Sequence, residues 1–96
     1  MEAGYVYILT NKPDGVLYIG VTSDLAQRIF QHRSREVSGF TRKYNCERLV
    51  WFERFDDLQD ARRFEVRMKK WNRDWKIARI VERNPDWRDL SDSLNS

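Results

Sequence analysis

Residues Tyr5 to His32, YVYILTNKPDGVLYIGVTSDLAQRIFQH, read as strand, turn, strand and helix. Tyr5-Val6-Tyr7-Ile8-Leu9 and Val16-Leu17-Tyr18-Ile19-Gly20-Val21 are dense in aromatic and β-branched residues, which suit a pleated, half-buried surface. Asn11-Lys12-Pro13-Asp14-Gly15 joins them. Pro13 presets φ for a type I turn, and Gly15 is placed to take the left-handed position that closes a hairpin. Side chains alternate with period two, so loop length decides which residues share a face. A four-residue loop, Lys12 to Gly15, sets Tyr7 across from Gly20 and Tyr18 across from Leu9, with both tyrosines on one face. A three-residue loop, Pro13 to Gly15, sends them to opposite faces, and the turn residues suit either.

A helix follows, with Thr22, Ser23 and Asp24 all able to cap it. Leu25, Arg28, Ile29 and His32 are spaced i, i+3, i+4, i+7, which is one helical stripe. Ala26, Ile29 and Phe30 form a second apolar set covering the flank. Arg28 and His32 therefore stand at the margin of the buried face, beside the hairpin. The plain account of Arg28 is a stem that snorkels over the core.

Tyr5-Val6-Tyr7, then Tyr18-Ile19-Gly20, then Arg28 and His32 on the next helix, resemble the GIY-YIG nuclease family. Tyr5 stands where that family often has Gly. The likeness covers the chain up to Trp87 and is to small stand-alone bacterial members. It implies that both tyrosines line one site, which selects the four-residue loop.

The remaining chain builds outward from this unit. Residues 33 to 47, RSREVSGFTRKYNCE, form a polar, basic connection in which Arg33, Arg35, Arg42 and Lys43 surround Phe40 and Tyr44. Cations interleaved with aromatics suit a phosphate backbone and its bases, and equally a solvated loop pinned by two rings. Arg48 to Phe55, RLVWFERF, reads as a third strand, with Val50 and Phe52 on one face and Leu49 and Trp51 on the other. Asp56-Asp57 cap a helix from Leu58 to Trp71, whose apolar stripe is Leu58, Ala61, Phe64, Met68 and Trp71. Glu65 shoulders that stripe, a lone carboxylate turned toward the core side. An ion pair to Lys69 at i+4 is the simplest explanation of it. Arg62, Arg63, Arg67, Lys69 and Lys70 lie on the outer face.

After a break at Asn72-Arg73-Asp74, a third helix runs from Trp75 to Arg83. It buries Ile77, Ile80 and Val81 and extends the basic surface with Lys76, Arg79 and Arg83. Arg62, Lys69, Lys70 and Arg73 are the candidate phosphate contacts of this region; a solvated helix face accounts for the same charges. Asn84-Pro85-Asp86-Trp87 is a turn with an aromatic anchor that folds back. The expected architecture is α/β: a small three-stranded, mainly antiparallel sheet flanked by helices. One domain spans residues 1–90, and a polar, frayed tail spans 91–96.

Composition sets the outer bounds. Ninety-six residues with 41% hydrophobic and 34% charged content make one modest core. The single Cys46 excludes an internal disulfide and a cysteine-cluster metal site and fits a reducing cytoplasm. No run is apolar enough for a membrane span, and the N-terminus lacks a signal peptide's basic start and apolar block. A net charge of +3 favours nucleic acid only weakly.

Phosphodiester hydrolysis needs an activated water, neutralised phosphate charge and help for the leaving oxygen. The resemblance implies these parts: Tyr7 and Tyr18 around the water, Arg28 on phosphate, and Glu65, on the helix after the third strand, holding a divalent ion. A site with one carboxylate suits Mg2+ or Mn2+ better than Zn2+. His32 can share proton transfer or contact phosphate. Gly20 lets a helix or DNA backbone approach the sheet. The function expected is a metal-dependent endonuclease on DNA in branched, damaged or single-stranded form, in repair or recombination. With no second domain, target choice would fall to a protein partner. The alternative is a nucleic-acid-binding or adaptor module on the same scaffold with little catalysis; a protein-interaction domain would bind no nucleic acid in a salt-sensitive way.

Overall fold

In the computed structural model, which describes residues 2–34 and 39–95, β1 (Gly4–Thr10) is the central strand. It pairs antiparallel with β2 (Leu17–Thr22) on one side and β3 (Arg48–Phe55) on the other. The hairpin register sets Tyr7 opposite Gly20 and Leu9 opposite Tyr18, as the four-residue loop requires. The turn itself differs from expectation. Gly15 N–H donates to the Lys12 carbonyl at 2.9 Å, but Asp14, with φ of 58°, holds the left-handed position. A positive φ after proline is the type II signature, and Asp tolerates it. Gly15 is required by crowding instead: a Cβ there would lie 2.2 Å from Asn11 Oδ1, the oxygen that accepts the Val16 N–H.

The sheet has helices on both faces. α1 (Leu25–Arg33) starts at Asp24, whose carboxylate accepts the Gln27 N–H. It covers the face carrying Tyr7, Leu9 and Leu49 through Leu25 and Ile29. Phe30 is 65% exposed and Ala26 is exposed, so the expected second apolar set does not form; only Ile29 of the three is buried. α3 (Leu58–Lys69), capped by Asp57, and α4 (Arg73–Arg83), capped by Asn72, cover the opposite face. There Ala61, Met68 and Ile80 pack against Val6, Ile8, Val50 and Trp51. α3 stops two residues earlier than the stripe suggests, because Lys70 and Trp71 close the last turn with i→i−3 bonds to Arg67 and Met68 carbonyls. Asn72, read as a break, is the cap of α4 through its side-chain bond to Trp75 N–H. Val81, expected inside, is exposed.

Three further expectations are corrected. In β3 the register slips between Ile8 and Leu9, which pair with Trp51 and Leu49. A bulge adds one residue and breaks the alternation. Val50 and Trp51 consequently join the α3/α4 core together, while Leu49 and Phe52 join the α1 side. The basic connection contains a short helix, α2 (Phe40–Tyr44), where a loop was expected. The chain from Ser91 is not frayed. Residues Leu90–Asn95 form a 3-10 helix whose Leu90 and Leu94 pack on the α1-side core. Asn84-Pro85-Asp86-Trp87 does fold back. Asn84 donates to the Val50 and Arg88 carbonyls, and Trp87 joins the α3/α4 core.

Replacing Leu90 and Leu94 together with Ala removes two partly buried side chains and should cost about 2 kcal/mol. The midpoint of thermal unfolding followed by circular dichroism should fall by roughly 8–16 °C. An unchanged midpoint would mean that this segment does not contribute to the fold.

Candidate active site

Tyr7 is the centre of the polar cluster. It belongs to the central strand and is 1% exposed. Its ring lies over Gly20 so closely that a Cβ at that position would be 2.4 Å from Cζ and Oη. Gly20 therefore makes room for the Tyr7 ring, and not for a helix or DNA backbone as the sequence suggested. The Tyr7 hydroxyl is hydrogen-bonded to His32 Nε2 at 3.2 Å, and His32 Nδ1 to Thr41 Oγ1 at 3.1 Å. A neutral imidazole donates from one nitrogen and accepts at the other, so the Tyr7 and Thr41 hydroxyls take opposite roles. Tyr18, half-exposed on β2, completes the cluster, with its ring centroid 6.3 Å from Tyr7 and 5.6 Å from His32.

The charges of Arg28 and Glu65 both act on the same phenol. Burial pushes the Tyr7 phenol well above the ordinary tyrosine value, and Tyr18 beside it pushes the same way. Arg28 opposes that shift and Glu65 adds to it. The guanidinium of α1 and the carboxylate of α3 thus both reach Tyr7 electrostatically, although their helices lie on opposite faces of the sheet. Burial lowers the His32 pKa, and the Arg28 charge lowers it further. His32 is 5% exposed, which seats it behind Tyr7. The Glu65 side chain is 13% exposed and lies 3.1 Å from Lys69 Nζ, the i+4 ion pair expected from spacing. Among the described residues no three His, Cys, Asp or Glu side chains gather as a metal-binding group.

The basic candidates divide. Arg33 is committed to the C-terminal segment: it pairs with Asp89 and donates to Ser91 Oγ and the Glu47 carbonyl. Arg73 donates to the Asp14 and Gly15 carbonyls and clamps the hairpin turn to the start of α4. Neither is the free phosphate contact the sequence suggested. Lys69 is held by Glu65, whereas Arg42, Lys43, Arg62 and Lys70 are exposed. Arg35 lies outside the described residues. Thr41 was missed. A threonine among cations in a polar connection carries no signal until α2 brings it under His32.

A family model described as the GIY-YIG catalytic domain matches residues 3–78. The chain belongs to the GIY-YIG nuclease family. Nucleases with this domain generally depend on a divalent metal ion. The chain is 33% identical over 82 residues to a UPF0213 protein of Staphylococcus saprophyticus, covering 85% of this chain and 99% of the relative. It is 36% identical over 78 residues to a UPF0213 protein of Bacillus pumilus, covering 81% and 79%. The solution NMR structure of a UPF0213 protein from Bacillus halodurans superposes with a TM-score of 0.57 at 31% identity, covering 92% of this chain and 93% of that one. Within the GIY-YIG frame the first triplet here is Tyr5-Val6-Tyr7, and its last tyrosine is the one that Gly20 of the second triplet accommodates.

Two measurements check this geometry. Gly20→Ala should lower stability by about 1–3 kcal/mol in chemical denaturation, since the added Cβ meets the Tyr7 ring. His32 binds its proton more weakly folded than unfolded, so stability is present above the unfolded pKa of about 6.5 and is lost as pH falls below it. The fall in stability between pH 7 and pH 5 should therefore be shallower in His32→Gln than in the parent. Equal slopes would show that His32 is not held neutral in the fold.

Proposed function

We propose that this GIY-YIG protein is a divalent-metal-dependent endonuclease that hydrolyses phosphodiester bonds in DNA, working in the cytoplasm in repair or recombination. The observation that carries the reading is the Tyr7 phenol, with Tyr18 and His32 packed around it and the charges of Arg28 and Glu65 both acting on it. A core needs no such packing of two phenols and an imidazole.

The donor set fits a hard divalent ion. Glu65 offers one carboxylate with part of its surface open to solvent. With no protein cage among the described residues, waters and phosphate oxygens would fill the other positions, as Mg2+ or Mn2+ prefers. When bound, such an ion neutralises phosphate charge and lowers the pKa of a coordinated water. Arg28 grips the non-bridging oxygens with a planar fork that stays charged at every working pH. Tyr18, the more exposed of the two tyrosines, orients the attacking water through its hydroxyl. Tyr7 keeps its own proton near neutrality, because burial raises its pKa, and it fixes the Tyr18 ring by contact. His32 is a positioning residue, since it acts through the Tyr7 hydroxyl.

A second reading is a DNA-binding or adaptor module with little catalysis. It is favoured by the Glu65–Lys69 ion pair, which gives the carboxylate a role without metal.

The test is cleavage of supercoiled plasmid, single-stranded DNA and a branched duplex in Mg2+, Mn2+ or EDTA. Cutting should require the metal, and Glu65→Ala and Arg28→Ala should each reduce its rate by about a hundredfold or more while keeping the parent's circular dichroism. Cutting that survives in both variants would overturn the site. Salt-sensitive binding without cutting would establish the second reading.

A further inference from the structure

Residues 69 to 76, KKWNRDWK, place two tryptophans among four cations and a single acid. The four tryptophans of the chain meet different fates. Trp51 and Trp87 are buried in the α3/α4 core and Trp71 is half-buried, whereas Trp75 is 60% exposed. A single exposed ring needs no explanation in itself, but this one is braced from below. Its backbone N–H is fixed by the Asn72 cap at 2.9 Å. Its ring meets Trp71 edge-on, with centroids 6.1 Å apart at 73°. Trp71 is itself backed by Phe64 and by the Arg79 guanidinium 5.0 Å above its ring. The result is a supported aromatic shelf, not a loose side chain.

The shelf is one residue in sequence from a groove that Tyr18 borders. Lys76, next in sequence to Trp75, lines a groove of about 270 Å3 together with Leu17, Tyr18, Ile19 and Lys69. Lys76 Nζ also donates to the Lys69 carbonyl at 3.4 Å, and Lys69 pairs with Glu65. Arg73 clamps this first turn of α4 to the hairpin that carries Tyr18. A strand whose phosphate sits at Tyr18 and Glu65 would meet Lys69 and Lys76 along the groove, and Trp75 stands next to Lys76 at the start of α4.

We propose that Trp75 is a stacking platform for an unpaired base of single-stranded DNA flanking the scissile phosphate. This rests on the nuclease reading for the placement of the phosphate, but the stacking is a binding property and can be tested without turnover. Exposed aromatics beside a phosphate-tracking cationic groove bind single strands with little sequence preference, because every base offers a π-face. A paired base keeps its faces inside the duplex, so the platform discriminates against duplex DNA.

The experiment titrates the protein with oligo(dT) or a blunt duplex of equal length in EDTA, reading tryptophan fluorescence and anisotropy of labelled DNA. Oligo(dT) should quench the parent's fluorescence. Trp75→Ala should lose most of that quench and bind oligo(dT) about five- to a hundredfold more weakly, with duplex affinity changed less than twofold. Trp75→Phe should recover most of the affinity. Parent-like oligo(dT) binding by Trp75→Ala, or an equal loss for oligo(dT) and duplex, would overturn the proposal, as would no binding of oligo(dT) by the parent. If the fluorescence and affinity changes appear while no variant or parent cuts DNA in Mg2+, the platform stands and the nuclease reading falls.

Discussion

The structure depends on one close approach, the ring of Tyr7 lying across the backbone of Gly20. It exists only because the hairpin register pairs those two positions, and the register in turn depends on the turn from Lys12 to Gly15. A slip of one residue would turn every β2 side chain to the other face and place Ile19 or Val21 against the ring. With Gly20 opposite, the Tyr7 hydroxyl extends toward the edge strand, where Tyr18 stands two residues before Gly20. His32 on α1 reaches the hydroxyl from above. The position of α1 is thereby tied to a polar contact as well as to Leu25 and Ile29. Thr41 then ties α2 to His32, so four elements converge on one phenol.

That convergence explains why the two faces of so small a sheet differ in character. The α3/α4 side is filled by aliphatic and aromatic side chains, including a bulge that sends Val50 and Trp51 inward together. The α1 side is thinner. It admits Tyr7, Tyr18 and His32 among its apolar residues and needs Leu90 and Leu94 of the C-terminal segment to complete its cover. A buried phenol and a buried imidazole raise the cost of ionising either one, and the pKa shifts follow that direction. Arg28 and Glu65 act oppositely on Tyr7, and burial outweighs both.

Much of this was legible in the sequence. The strands of the hairpin announced themselves by composition, the α1 stripe by its 3.6-residue period, and the GIY-YIG pattern by the order of Tyr, Tyr, Gly, Arg and His. Local physics decided the features that were not legible. The left-handed position falls at Asp14, after Pro13, while Gly15 is needed to clear the Asn11 side chain, a contact that the turn residues alone do not announce. The β3 bulge breaks a period-two reading that RLVWFERF otherwise satisfies. Ser91 to Asn95 are polar enough to read as a tail, and only the pair Leu90 and Leu94, spaced to meet one surface, marks them as packed. Thr41 could not be found because its importance is a contact across nine residues with a helix end.

The basic surface shows most plainly what composition conceals. A net charge of +3 over eighteen cations says nothing about which of them are free. Several arginines are used internally: Arg33 and Arg73 as anchors, Arg83 on the Phe52 carbonyl and Glu53, and Arg79 and Arg67 over the ring of Phe64. A guanidinium suits these tasks because its donors lie in a plane and its face stacks on aromatics. Lysines serve such anchoring poorly, and those of α3 and α4 lie along its groove-facing and outer surfaces, with Lys69 and Lys76 bordering the groove beside Tyr18. Among the described residues, several arginines hold elements together, while Lys69 and Lys76 border the groove beside Tyr18. Arg28 differs from these arginines in that its charge acts on Tyr7 and on His32.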